Sequence, residues 1–145
     1  MEISCRTIEH NSAAYREMIG LRYRVLREPL GLNFTPEQLA AETSDVLMGA
    51  YADGKIIGSL ILTRQNEQMA QMRQVAVEEI LQGRGIGRIM MEFAEQEAKK
   101  RGISEITLHA RETALPFYER LGYESFGDSF MEVGLPHLEM RKILT

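Results

Sequence analysis

The chain has 145 residues, 44% hydrophobic and 26% charged, with a formal net charge of −4; this fits a single globular domain able to bury a core. The acidic balance excludes a general nucleic-acid binder, which needs a basic face for the phosphates. One cysteine, Cys5, excludes an internal disulfide framework. The first residues lack the basic and apolar regions of a secretion signal, and no apolar run approaches the roughly 18 residues of a membrane span, so a cytoplasmic protein without membrane association is expected.

Residues 2–8 alternate as a strand does, with Cys5 as a small apolar residue within it. Asn11 or Ser12 can cap a helix reaching about Arg27, ended by Pro29 and Gly31. Thr35 caps a second short helix with Pro36 at its first position. Three antiparallel strands follow: Val46–Tyr51 and Lys55–Thr63 around the hairpin signal Asp53-Gly54, then Met69–Val77. A long helix over Gly85–Arg101 buries Ile86, Ile89, Met90, Phe93 and Ala94, turns Glu92, Glu95, Lys99 and Lys100 to water, and stops at Gly102. Ile103–Ala110 is a strand, Ala114–Leu121 a short helix, and strands near Tyr123–Glu132 and His137–Leu144 close the chain around Gly134-Leu135-Pro136. This order predicts one α/β (α+β) domain over residues 1–145, a mixed sheet with helices on its faces. The helix between Met69–Val77 and Ile103–Ala110 would make a right-handed parallel crossover.

The chemistry lies where a strand meets the long helix, at Val75-Ala76-Val77 and Gln82-Gly83-Arg84-Gly85-Ile86-Gly87-Arg88. Three glycines in five residues permit unusual dihedrals and strip away side chains. Freed amides at a helix start make an anion site, and either arginine could reach a phosphate. A Walker loop is excluded because no Gly-Lys-Ser/Thr follows, and Arg88 stands where a dinucleotide motif needs its third glycine.

Gln82 through Gly87 resembles the Gln/Arg-x-x-Gly-x-Gly/Ala signature of the GNAT superfamily of N-acetyltransferases. Ala114-Leu115-Pro116-Phe117-Tyr118-Glu119-Arg120-Leu121-Gly122-Tyr123 looks like that family's second block, and the element order is similar along nearly the whole chain. Leu21–Arg27 and Gly134–Met140 look similar to the ElaA-like branch. The resemblance implies a seven-stranded, mostly antiparallel sheet with about four helices, and acetyl-CoA as acyl donor. It implies that the amides of Gln82 through Gly87, with Arg84 and Arg88 nearby, hold the pyrophosphate. It implies that Val75, Ala76 and Val77 pair with the pantetheine arm, and that Tyr118 is the general acid for the departing thiolate. Arg111 stands where many members have Asn, which removes one pantetheine contact. A homodimer is compatible with the resemblance.

Direct attack of an amine on the thioester also needs a base and an oxyanion donor. His137, at the start of the last strand, is the candidate base. His109, on one face with Arg111, and Arg22 and Arg24 of the first helix are candidate contacts for a small-molecule or peptide amine. Arg22, Arg24 and Arg27 would suit an acceptor bearing a carboxylate or phosphate. The histidines and cysteine have no metal-ligand spacing, so no metal is expected. The alternative from another class is a non-catalytic acyl-CoA-binding sensor, which would bind the thioester but release no thiol with any amine.

Overall fold

The computed structural model describes the whole chain from Met1 to Thr145. Seven strands form one sheet: β1 Ser4–Ile8, β2 Val46–Ala52, β3 Lys55–Arg64, β4 Met69–Val77, β5 Glu105–Arg111, β6 Glu124–Glu132 and β7 Leu135–Ile143. Their order is β1-β2-β3-β4-β5-β7-β6. Every neighbouring pair is antiparallel except β4 with β5. That one parallel pair exists because the chain crosses over through a helix, as parallel neighbours require. The expected α/β architecture with four α-helices is what the structure has: α1 Ala13–Arg22, α2 Pro36–Ala40, α3 Ile86–Lys100 and α4 Leu115–Arg120.

Alternation along the strands divides the core between the two faces. Met48, Leu60, Met72, Leu108 and Met140 pack with Met90, Met91 and Ala94 of α3 and Tyr118 of α4. On the other face Leu47, Tyr51, Ile56 and Ile61 pack with Tyr15, Met18 and Leu21 of α1. No helix is long and apolar enough to cross a membrane.

Local signals set most boundaries. Ser12 caps α1 by accepting from the Tyr15 amide, and Thr35 with Gln38 forms a capping box on α2. Asp53 and Gly54 both have positive φ, the geometry of a two-residue hairpin turn.

Three local expectations change. The first helix becomes a π-helix over Tyr23–Arg27. On α3, Met91 is fully buried while Ile89 is 39% exposed, because Phe117 of α4 covers the Gly87 side of the helix. Glu95 turns inward rather than to water, accepting from Tyr123 Oη at 3.1 Å and Lys142 Nζ at 2.9 Å.

The last hairpin is also tighter than expected. Glu132 pairs with Leu135, so the turn is Val133-Gly134 and Pro136 lies within β7. Val133 sits at φ 46°, a conformation that costs a β-branched residue about 1–2 kcal/mol. Its side chain is well exposed, so nothing in the core is lost by replacing it. Val133→Asn should therefore raise the unfolding free energy by about 1 kcal/mol. The check is a higher urea midpoint at an unchanged slope.

Candidate active site

The site begins where the sheet comes apart. β4 and β5 are paired only from Met69↔Glu105 to Met72↔Leu108. Beyond that point β4 stays with β3 as far as Gly58↔Val77, and β5 stays with β7 as far as Arg111↔His137. The cause is a bulge in β4. Between the pairs Ser59↔Ala76 and Ile61↔Arg73 the strand carries one extra residue, and Gln74 lies there at φ 55°. A bulge bends its strand and raises the local twist, which here leads β4 away from β5.

The edge of β4 that faces this opening is free backbone. Glu78 donates its N–H to Ile57 O at 2.9 Å on the β3 side. Alternation therefore turns the peptide groups of Val77 and Val75 toward the opening. The carbonyl of Val77 accepts Gln82 Nε2 at 3.1 Å, which fastens the glycine turn to the end of the strand. Ala76, 2% exposed, packs in the core.

The turn itself runs from Gln82 into α3. Gly83 and Gly85 stand at φ 82° and 81°, a region that L side chains rarely adopt. Gly85 is the N-cap and offers no side chain to the helix start. The N–H groups of Gly83, Arg84, Gly85, Ile86, Gly87 and Arg88 have no acceptor within the chain; the first paired one is Ile89, to Gly85 O at 3.2 Å. Six adjacent free donors at the positive end of a 15-residue helix make a cradle of the kind that would suit an anion. Gln82 leaves the expected set, since its amide already donates to Glu79 O at 3.2 Å. Ile86 contributes only its amide, its side chain being buried. Arg84 is an exposed cation beside the cradle, whereas Arg88 pairs with Glu92 at 3.1 Å. Gly87 has a steric reason as well: a Cβ there would lie 3.0 Å from Phe117 Cζ.

Phe117 places its neighbour. Tyr118 is 8% exposed, with its ring edge-on to Phe117 and Tyr123 at centroid distances of 5.0 and 6.0 Å. Burial alone pushes its phenol up to about 12, so it stays protonated at every physiological pH.

The opposite face of the sheet carries the charged groups. Register puts His109, Arg111, His137, Phe130 and Glu132 on one face. Glu132 and Phe130 were not anticipated from the sequence. Glu132 Oε1 lies 2.9 Å from His109 Nδ1, and its Oε2 lies 3.6 Å from His137 Nε2. His137 is buried at 4% exposure, and its Nδ1 donates to Leu135 O at 2.8 Å.

The arginines divide by function. Arg22 is fully buried in a two-pronged pair with Glu42, at 2.8 and 2.7 Å, so it supports the site and does not touch an acceptor. Arg24 reaches Glu78 at 2.6 Å and ties the π-helical turn to the end of β4. Arg27 lies over the Phe34 ring at 4.6 Å with no carboxylate of its own. Its charge is repelled by Arg22, Arg111 and Arg73 and attracted by Glu132.

Known proteins resemble this chain in sequence and in fold. A Bacillus subtilis protein that bears an acetyltransferase name is 40% identical over 58 residues, which is 40% of each chain. The chain spans 40% to 65% of the lengths of the curated relatives it matches. Among solved structures, one named as an N-acetyltransferase from Lactobacillus plantarum has a TM-score of 0.88 at 24% identity over 100% of both chains. Escherichia coli ElaA has a TM-score of 0.81 at 17% identity, covering 97% of this chain and 99% of its own. A GNAT family acetyltransferase from Elizabethkingia anophelis, solved with acetyl-CoA bound, has a TM-score of 0.75 at 17% identity over 98% of each chain. These structural likenesses establish the fold. Residues 31–144 match the acetyltransferase (GNAT) domain as a family, and the chain belongs to it.

Proposed function

We propose that the chain is an N-acetyltransferase that moves an acetyl group from acetyl-CoA to a primary amine of a small molecule or peptide. The observation that carries this reading is the run of six unpaired amides from Gly83 to Arg88, set beside the opening between β4 and β5. Unpaired donors at a helix start suit a diphosphate. The free edge at Val75 and Val77 suits an amide-bearing arm laid alongside it as an extra strand. Family membership and the acetyl-CoA held by the Elizabethkingia anophelis relative support the same donor.

When bound, acetyl-CoA supplies an activated acyl group and a thiolate leaving group. The chain's part is to hold the two reactants in register and to manage charge and protons. Tyr118 is the proposed proton donor toward sulfur. A phenol near 12 against a thiol near 8.5 leaves a gap of about 3.5 pH units, or ~5 kcal/mol against complete transfer. Tyr118 therefore acts first as a hydrogen-bond donor that strengthens as charge grows on sulfur. Its proton follows only where burial has raised the thiol too. The backbone N–H of Val77, directed into the opening, is the proposed oxyanion donor.

The test of the donor site is Gly85→Asp. Its carboxylate would stand among the cradle amides and repel the diphosphate by ~2 kcal/mol or more after screening, about 30-fold in affinity. Calorimetric titration with acetyl-CoA reads this directly. Equal affinity of the two proteins would remove the cradle from the argument.

A further inference from the structure

We propose that Glu132, held between His109 and His137, is the group that takes up the proton lost by the acceptor's amine. This rests on the transferase reading above and adds the identity of its base.

The geometry comes from strand register. His109 and Arg111 alternate with Leu108 and Ala110, which pack in the same core as Tyr118. The two histidines therefore lie on the face opposite Tyr118, and His109 is the first β5 residue past the last β4–β5 pair, Met72↔Leu108. Arg111↔His137 and Phe130↔His137 are cross-strand pairs, and Glu132 lies two residues beyond Phe130 on the same side. Two extra residues in β6, between Phe126↔Glu139 and Phe130↔His137, preserve that facing. Phe130 holds both imidazoles, edge-on to His109 at 5.0 Å and stacked on His137 at 6.0 Å.

Hydrogen-bond bookkeeping then shows a proton deficit. Leu135 O can only accept, so the Nδ1 of His137, 2.8 Å away, carries the hydrogen. In the neutral ring this leaves the Nε2 lone pair facing Glu132 Oε2 at 3.6 Å. Two acceptors confront each other with no hydrogen between them. One added proton turns that repulsion into attraction between opposite charges. His109 Nδ1 donates to the other oxygen at 2.9 Å and fixes the carboxylate's orientation. The remaining charged groups on this side are Arg27 of the π-helical turn, whose charge Glu132 attracts, and Arg111 of β5. Glu112, after β5, is engaged with Ser129 Oγ at 3.1 Å, and Glu139 shares the face as the partner of His109.

The step balances. The amine nitrogen forms a bond to the thioester carbon, and the carbon–sulfur bond breaks with its electron pair going to sulfur. Tyr118 supplies hydrogen to sulfur. The ammonium's first proton goes to Glu132, is shared with His137 Nε2 and passes to water; the second, lost once nitrogen has bonded to carbon, also passes to water, from which Tyr118 is reprotonated.

The experiment is acetyl transfer from acetyl-CoA across a fixed panel: an alkyl diamine, an α-amino acid, an arylalkylamine and an Ala-initial peptide. For the fastest amine, kcat/KM is followed from pH 6 to 9.5. Glu132→Gln keeps the His109 hydrogen bond but cannot accept the proton. It should lose about 100-fold at pH 7, and the loss should shrink toward pH 9.5, where solvent deprotonates the amine unaided. Acetyl-CoA affinity should stay equal to wild type, which also certifies folding. No loss, or the same loss at every pH, overturns the assignment of Glu132 while leaving the transferase reading intact. Failure of the wild-type chain to transfer to any panel amine overturns the transferase reading and this base with it.

Discussion

Glu42→Ala should destabilise the chain by about 3–5 kcal/mol, the largest effect expected of a single substitution here. Arg22 and Glu42 are 0% and 3% exposed. The carboxylate accepts two bonds from Arg22 and one from Tyr15 Oη at 2.7 Å, so removing it strands a buried guanidinium, while the phenol keeps Leu39 O at 3.2 Å. Arg22 Nε already lacks a partner. Replacing the pair by apolar groups of similar volume, Arg22→Met with Glu42→Leu, should recover most of the loss, because desolvating two ions offsets much of their attraction. Urea unfolding of the single and double variants separates these outcomes. A double variant no more stable than Glu42→Ala would show that the pair itself is net stabilising.

The same cluster predicts a pH window. Burial alone would push the Glu42 carboxyl up, but the Arg22 and Tyr15 hydrogen bonds and the Arg22 charge outweigh it, and it ends below the usual carboxylate range. A depressed acid stabilises the fold fully above its unfolded pKa near 4.3 and loses that contribution as pH falls further. Burial, followed by the Glu42 carboxylate, raises the Tyr15 phenol. That contribution is full below about pH 10 and lost above it. Thermal midpoints should be flat between these limits and fall on either side, and Glu42→Ala should flatten the acid limb.

The second large effect is catalytic. Tyr118→Phe should lower kcat by about 100-fold or more at saturating acetyl-CoA, with acetyl-CoA affinity changed by less than about threefold. The hydroxyl is absent from the chain's hydrogen bonds, burial being the sole cause of its raised pKa. The phenyl ring fills the same space against Phe117 and Tyr123, so folding stability should be unchanged. Thiol release measures the rate and calorimetry the affinity. Turnover equal to wild type would remove Tyr118 from proton transfer and leave it a packing residue.

Local chemistry made much of this readable. Asp53-Gly54, the Thr35 cap and the three glycines before α3 each demand a particular backbone shape, and such demands survive without knowledge of distant contacts. What depended on register did not show. Glu132 meets His109 because β6, β7 and β5 lie side by side with two extra residues accommodated in β6. A count from the Val133-Gly134 turn, pairing 132 with 135 and 130 with 137, was the available clue. Arg22 read as an acceptor contact because its partner Glu42 is 20 residues away and only packing of α1 beside the segment after α2 brings them together. Glu95 and Ile89 exchanged surroundings for the same reason. Helical periodicity fixes the width of an apolar stripe, but its rotation follows from whichever neighbour lands on it, here α4.

The bulge at Gln74 has a consequence for how a thin, linear guest is admitted. Both flanks of the gap are tethered by ladders to outer strands, so its width is set by backbone hydrogen bonds. On the proposed reading no strand pair has to part on arrival, since β4 and β5 are already unpaired beyond Met72↔Leu108. The slot is ready-made, and the entropy usually spent on shaping a receptor at encounter was already spent when the sheet folded.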